Sequence, residues 1–189
     1  EIQLIGEWIT EGAKWERHWA FMPPQKRPFP GVNDKPWVIN EIDYFILSKL
    51  ESLGLKPSAP TGKEQLLRRA SFDLTGLSPT ITDLENFVKD NSDNAFEDAV
   101  DRLLDSPGFG ERMALEWLDV ARYGDTDGLF EDHPRSIYPW RDWVISAFNA
   151  NLPYNDFITW QVSGDLISNA TNEQKLATGF LRNNPTSNE

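Results

Sequence analysis

From residue 40 onward the chain repeats one device: a capping side chain, an apolar stripe at helical spacing, and a glycine or proline that ends it. Asn40 opens such a run, Ile42, Phe45, Ile46, Leu50 and Leu53 form its stripe, and Gly54 stands at the C′ stop. Thr61 and Glu64 have capping-box spacing ahead of Leu66, Leu67, Ala70 and Leu74, and Gly76 closes that run. Ser78, Pro79 and Thr80 restart the chain for Ile81, Leu84, Phe87 and Val88, and Asn94 caps a helix with Phe96, Val100, Leu103 and Leu104. After a break at Ser106, Pro107 and Gly108, the residues Phe109, Met113, Trp117, Leu118 and Ala121 mark another helix. Pro139 suits the first turn of the next, whose WRDWVISAF stripe at 140–148 reads as core. Pro153 primes a helix in which Phe157, Ile158, Trp160, Val162, Leu166 and Ile167 spread widely around the axis, which predicts burial on more than one side. Thr171 or Asn172 caps a last helix through Leu176, Ala177, Phe180 and Leu181. Alternating β-branched patterns never last beyond a few residues, so the expected class is all-α: a single, bundle-like, multi-helix domain with short loops.

The first 39 residues read differently. Ile2, Ile5, Trp8, Ile9 and Ala13 keep helical spacing up to Gly12, giving a short helix in 1–14. Pro23, Pro24, Pro28, Pro30 and Pro36 then forbid a helix and favour an extended path over 15–39. Trp15, Trp19, Phe21, Phe29 and Trp37 along this path predict a strap packed on the body rather than a polar linker. The helical domain proper is expected over 40–189, cut short at its C-terminus.

At 189 residues the chain is long enough for a sizeable core. Its formal net charge of −12 argues against nucleic acid or an anionic membrane as partner, since polyanions select basic surfaces. A cation, a basic partner or a neutral substrate fits better. Zero cysteines exclude disulfides, thiolate metal sites, cysteine nucleophiles and covalent haem attachment within these residues. No run of 18 apolar residues predicts a membrane span.

Chemistry-bearing residues concentrate in WLDVARYGDTDGLFEDHPRSIYPWRDW at 117–143, a polar loop between two helical patterns. Asp125, Asp127, Glu131 and Asp132 offer hard oxygen ligands of the kind Ca²⁺ takes, though without EF-hand spacing. Capping and pairing of the same acids with Arg122, Arg135 or Arg141 is the structural alternative. Asp125, Asp127 and His133 are the candidate catalytic groups: two acids for a glycan-cleaving pair, and a histidine beside acids that would serve as proton donor or ligand. Arg122, Tyr123, Arg135, Trp140 and Arg141 form a candidate interaction surface, with the tryptophans as possible stacking faces for sugar. His18 is expected to pack within the aromatic strap, and Arg68, Arg69 and Asp73 to form a buried or half-buried ion pair. No nucleophile elbow and no phosphate-binding glycine loop occurs.

The runs GAKWERHWAF (12–21), NEIDYFILSKLESLGLKPS (40–58), LLRRASFDLTGLSPT (66–80), DRLLDSPGFGERMALEWLDVARYGDTDG (101–128), WRDWVISAFNANLPYNDF (140–157) and ATGFLRNNPTSNE (177–189) together resemble a known family. It is the planctomycete cytochrome c-associated domain, domain of unknown function 1549. The resemblance implies an accessory module of a large exported, periplasmic protein that supports redox or electron-transfer function. It implies neighbouring cytochrome-type domains as partners, with residues 1–14 as the tail helix of one of them. Haem c is implied for the full-length family, but the family's haem-attachment motif is not among these residues, so no bound cofactor is expected within this chain. Trp160 and Ser163 depart from the acidic residue and alanine more usual there. A carbohydrate-active or carbohydrate-binding module built on loop 122–135, and a purely structural spacer, are the alternatives the residues leave open.

Overall fold

The computed structural model describes residues 2–15, 17–129 and 131–185. Among these the chain is helical without strands, and an isolated antiparallel bridge joins Thr126 and Pro134. The all-α expectation holds. Contacts group the chain into two compact units, 1–59 and 60–189.

In the first unit, α1 (Ile2–Thr10) ends at Gly12, whose φ of 97° only glycine adopts without cost, and none of its residues is buried. Part of 15–39 packs within this unit. Phe29 stacks on Tyr44 at 5.1 Å, Val32 is buried, and the Glu51 carboxylate accepts from the backbone N–H groups of Asn33 and Asp34 and from Asn33 Nδ2. These contacts tie 29–34 to α2 (Glu41–Ser52). Trp15, Trp19 and Phe21 are instead exposed, at 86%, 78% and 82%. His18 turns its Nδ1 toward the Ala20 N–H beside Trp19 and Phe21, within a short 3-10 turn. Asn40 caps α2 as predicted, with Asp43 returning the bond in a reciprocal box, and Gly54 is the left-handed stop. The predicted stripe of α2 is not its buried face: Ile42, Phe45, Ile46 and Leu53 are exposed, and Leu47 is the residue enclosed.

The second unit has two cores. α3 (Lys63–Thr75), α4 (Ile81–Lys89) and α5 (Ala95–Leu104) enclose Leu67, Phe87, Ala95 and Ala99. Helix α3 starts from Gly62 without a side-chain cap, because Thr61 Oγ1 bonds the Gln65 side chain and leaves the backbone N–H groups alone. Arg68 lies over the Phe72 ring at 4.7 Å; Arg68, Arg69 and Asp73 are exposed, so the predicted buried pair is a surface cation–π contact.

α3 also packs on α6 (Pro107–Val120), which joins α7 (Tyr138–Asn149), α8 (Tyr154–Ser163) and α9 (Asn172–Ala177) around the larger core. That core holds Ala114, Trp140, Trp143, Val144, Ala147, Phe157 and Ala177. α6 and α7 approach closely at Gly110, whose N–H donates to Asn149 Oδ1 at 2.7 Å; a Cβ there would overlap the Ile145 carbonyl oxygen. Trp143 stacks on Phe157 at 5.4 Å, and the buried Gln161 accepts from Trp117 Nε1 at 2.9 Å while donating to the Phe157 carbonyl. The prediction of burial on several sides of α8 fails for Val162 and Leu166, exposed at 56% and 80%. The α-helix ends at Ser163 and becomes a 3-10 turn, because Gly164 lies directly against the Gln174 carbonyl. Thr171 and Gln174 form the capping box of α9.

Candidate functional site

Loop 121–137 joins the two most closely packed helices, α6 and α7, and its geometry follows from how each end is tied. At the α6 end Arg122 takes a left-handed φ of 58°, and the Tyr123 N–H reaches back to the Leu118 carbonyl at 2.9 Å. The chain then zips against itself: Asp127 N–H donates to the His133 carbonyl at 3.0 Å and Arg135 N–H to the Asp125 carbonyl at 2.8 Å. Between these rungs, Gly128 adopts φ 79° and its N–H donates to Asp132 Oδ1 at 2.7 Å. The loop is thus a short, self-bonded projection rather than an open strand.

Asp125, Glu131, Asp132, His133 and Arg141 each engage a partner close in sequence. Asp125 Oδ1 accepts from the Tyr123 hydroxyl at 2.5 Å. His133 Nε2 and Glu131 Oε2 lie 3.0 Å apart, both well exposed, a pair worth little to stability. Asp132 accepts from the Thr126 side chain and the Gly128 backbone, which hold its carboxyl below the usual carboxylate range. Its stabilising contribution is therefore present above the unfolded value and is lost as pH falls through the lowered folded one. Arg141 pairs with Asp142 at 2.8 Å at the surface, where Asp142 raises the guanidinium pKa. Asp127 is half-buried, and Arg122 is exposed.

Among the described residues no three of the His, Asp and Glu side chains gather into a group that could hold a metal ion. Asp125, Asp127, Glu131 and Asp132 are neighbours in sequence, yet three of them point to separate partners: Tyr123, His133 and Gly128. The arrangement presents an acidic rim of fixed shape. Trp140, expected on the interaction surface, is 2% exposed and belongs to the core, where Tyr123 stacks on it at 6.0 Å.

Arg135 has a role that sequence reasoning missed. Its guanidinium donates to the Gly124 carbonyl at 3.1 Å and to those of Arg182, Asn183 and Asn184 at 3.2, 2.9 and 3.0 Å. It fastens the C-terminal segment, up to 49 residues away, to the loop. Asn183 beneath it is fully buried, and neither side-chain amide atom has a partner. Nothing in the local sequence marks Asn183; Gln161, four residues after Phe157 on the buried face of α8, could have been found from that register.

Burial, followed by the hydrogen bond to Asp125, pushes the Tyr123 phenol up to about 12. A folded value raised above the usual 10.0 favours the protonated phenol, so its contribution is intact below pH 10 and lost as pH rises through about 12. Spectrophotometric titration of the 4 tyrosines should show one ionising late. Asp125→Ala should bring it earlier.

An all-α module with a stapled acidic loop is the class these features define. The chain belongs to the family described as PSCyt2, protein of unknown function (DUF1549), whose model matches residues 41–189. Residues 186–189 of the final resembling run lie outside the described residues. Neither a curated protein nor a solved structure matches the chain. Among the described residues no helix is long and apolar enough to cross a membrane.

Proposed function

We propose that the chain is a non-catalytic docking module of an exported, c-type cytochrome-associated multidomain protein of planctomycete type, supporting electron transfer by presenting loop 122–135 to a haem-bearing neighbour. The observation that carries this reading is the engagement of the loop's own polar groups with one another, which fixes exposed Asp125, Glu131 and Asp132 in one rim. Such a rim is complementary to the basic edge of an electron-transfer partner, and complementary charge speeds encounter more than it strengthens the final complex. The net charge of −12 acts in the same direction. The indoles of Trp140 and Trp143 lie in the core, so neither serves as a stacking face for sugar.

The test is haem reduction in the full-length polypeptide. Changing Asp125, Glu131 and Asp132 together to their amides should slow it by about tenfold at low ionic strength. Unchanged kinetics sinks the docking reading and leaves a structural spacer.

A further inference from the structure

Three basic side chains meet on one groove of this acidic chain. The end of the loop, the start of α7 and the segment from α9 onward enclose a groove of about 720 Å³, within the size range of small-molecule sites. Arg135, Lys175 and Arg182 line it against one acidic residue, Asp127. Lys175 and Arg182 are exposed and form no ion pair among the described residues. Arg135 spends its N–H groups on backbone carbonyls, which leave its charge uncompensated by any carboxylate. The N-terminus of α7, a helix of 12 residues, opens on the same groove with no side-chain cap, adding the positive end of a helix dipole. Trp140 also lines the groove, and its Nε1–H is buried without an acceptor. The cations and the helix N-terminus therefore both call for negative charge. Ile137, Leu176 and Leu181 make much of the remaining wall apolar.

We propose that this groove binds an organic carboxylate with an apolar body, the head group lying among Arg135, Lys175, Arg182 and the α7 N-terminus and the body against Ile137, Leu176 and Leu181. A compact dianion such as phosphate would satisfy the cations and leave the apolar wall in water, which is why a carboxylate is the better match. The site is distinct from the acidic rim, and its failure would leave the docking reading as it stands.

Calorimetry on the full chain at fixed ionic strength, with octanoate, octan-1-ol and inorganic phosphate as probes, tests it. Octanoate should bind saturably at one site, and Lys175→Gln with Arg182→Gln should weaken it by about tenfold or more, since each tenfold step corresponds to the loss of one modest charged contact. Both residues are exposed, so the variant should keep the far-ultraviolet circular dichroism of the parent. Octanoate should also move the indole N–H resonance of Trp140. Equal binding of octan-1-ol, tighter binding of phosphate, no saturable heat at millimolar octanoate, or an unmoved Trp140 resonance would each overturn the assignment.

Discussion

Trp140→Ala is expected to lower stability by about 4 kcal/mol, seen as a lower denaturation midpoint at nearly constant slope. The indole is 2% exposed, lies 6.0 Å from the Tyr123 ring and 6.2 Å from Phe180, and is covered so closely by Gly179 that an added Cβ there would sit 2.9 Å from the Trp140 Cβ. Truncation removes a large apolar surface and leaves a cavity that the rigid α6–α7 pair cannot collapse into. It also removes the support of Tyr123, so the phenol should ionise earlier in the same variant. Trp140→Phe keeps most of the packing and deletes the unpaired Nε1–H, and should cost only about 1 kcal/mol. A loss below about 1 kcal/mol for the alanine variant would mean that the indole is not packed as described.

Arg135→Ala is expected to cost about 3 kcal/mol, because it strips charged donors from the carbonyls of Gly124, Arg182, Asn183 and Asn184 at once. These bonds share one side chain, so their loss is not the sum of four separate ones. The segment around the buried Asn183 should open first, with faster amide exchange at 182–184 than in α6. Lysine, a single point of charge without the planar fork, should recover less than half of the loss. If exchange at 182–184 matches the parent in the alanine variant, Arg135 does not fasten that segment.

What was legible in the sequence was local. Asn40, Thr80 and Thr171 cap the helices they precede, and Gly54 and Gly76 stop theirs, because each acts within one turn of its own position; Asn94 stands at the start of α5 but makes no capping side-chain bond. The WRDWVISAF stripe was readable as core for the same reason; the error at Trp140 was to place one residue of that stripe on an interaction surface as well. The rest depended on distant neighbours. Gly164 breaks the last turn of α8 because the Gln174 carbonyl lies against it, and no pattern near Gly164 announces that contact. Apolar periodicity marked a face of α2 without saying whether anything covers it, and Leu47, off that stripe, proved to be the enclosed residue. At the candidate site the residue types were found but not their partners. Arg135 reaches 47 to 49 residues along the chain, whereas Asp132 and Tyr123 close on residues within the loop.

The docking rim is tested most directly by the footprint of a basic partner on the chain. Amide shifts would be followed while the isotope-labelled chain is titrated with a lysine-rich c-type cytochrome, first at low and then at high salt. Shifts concentrated at 123–135, abolished by high salt and by the triple change of Asp125, Glu131 and Asp132 to their amides, are the predicted result. A footprint elsewhere on the chain, or one that salt and the amide substitutions leave unchanged, contradicts it.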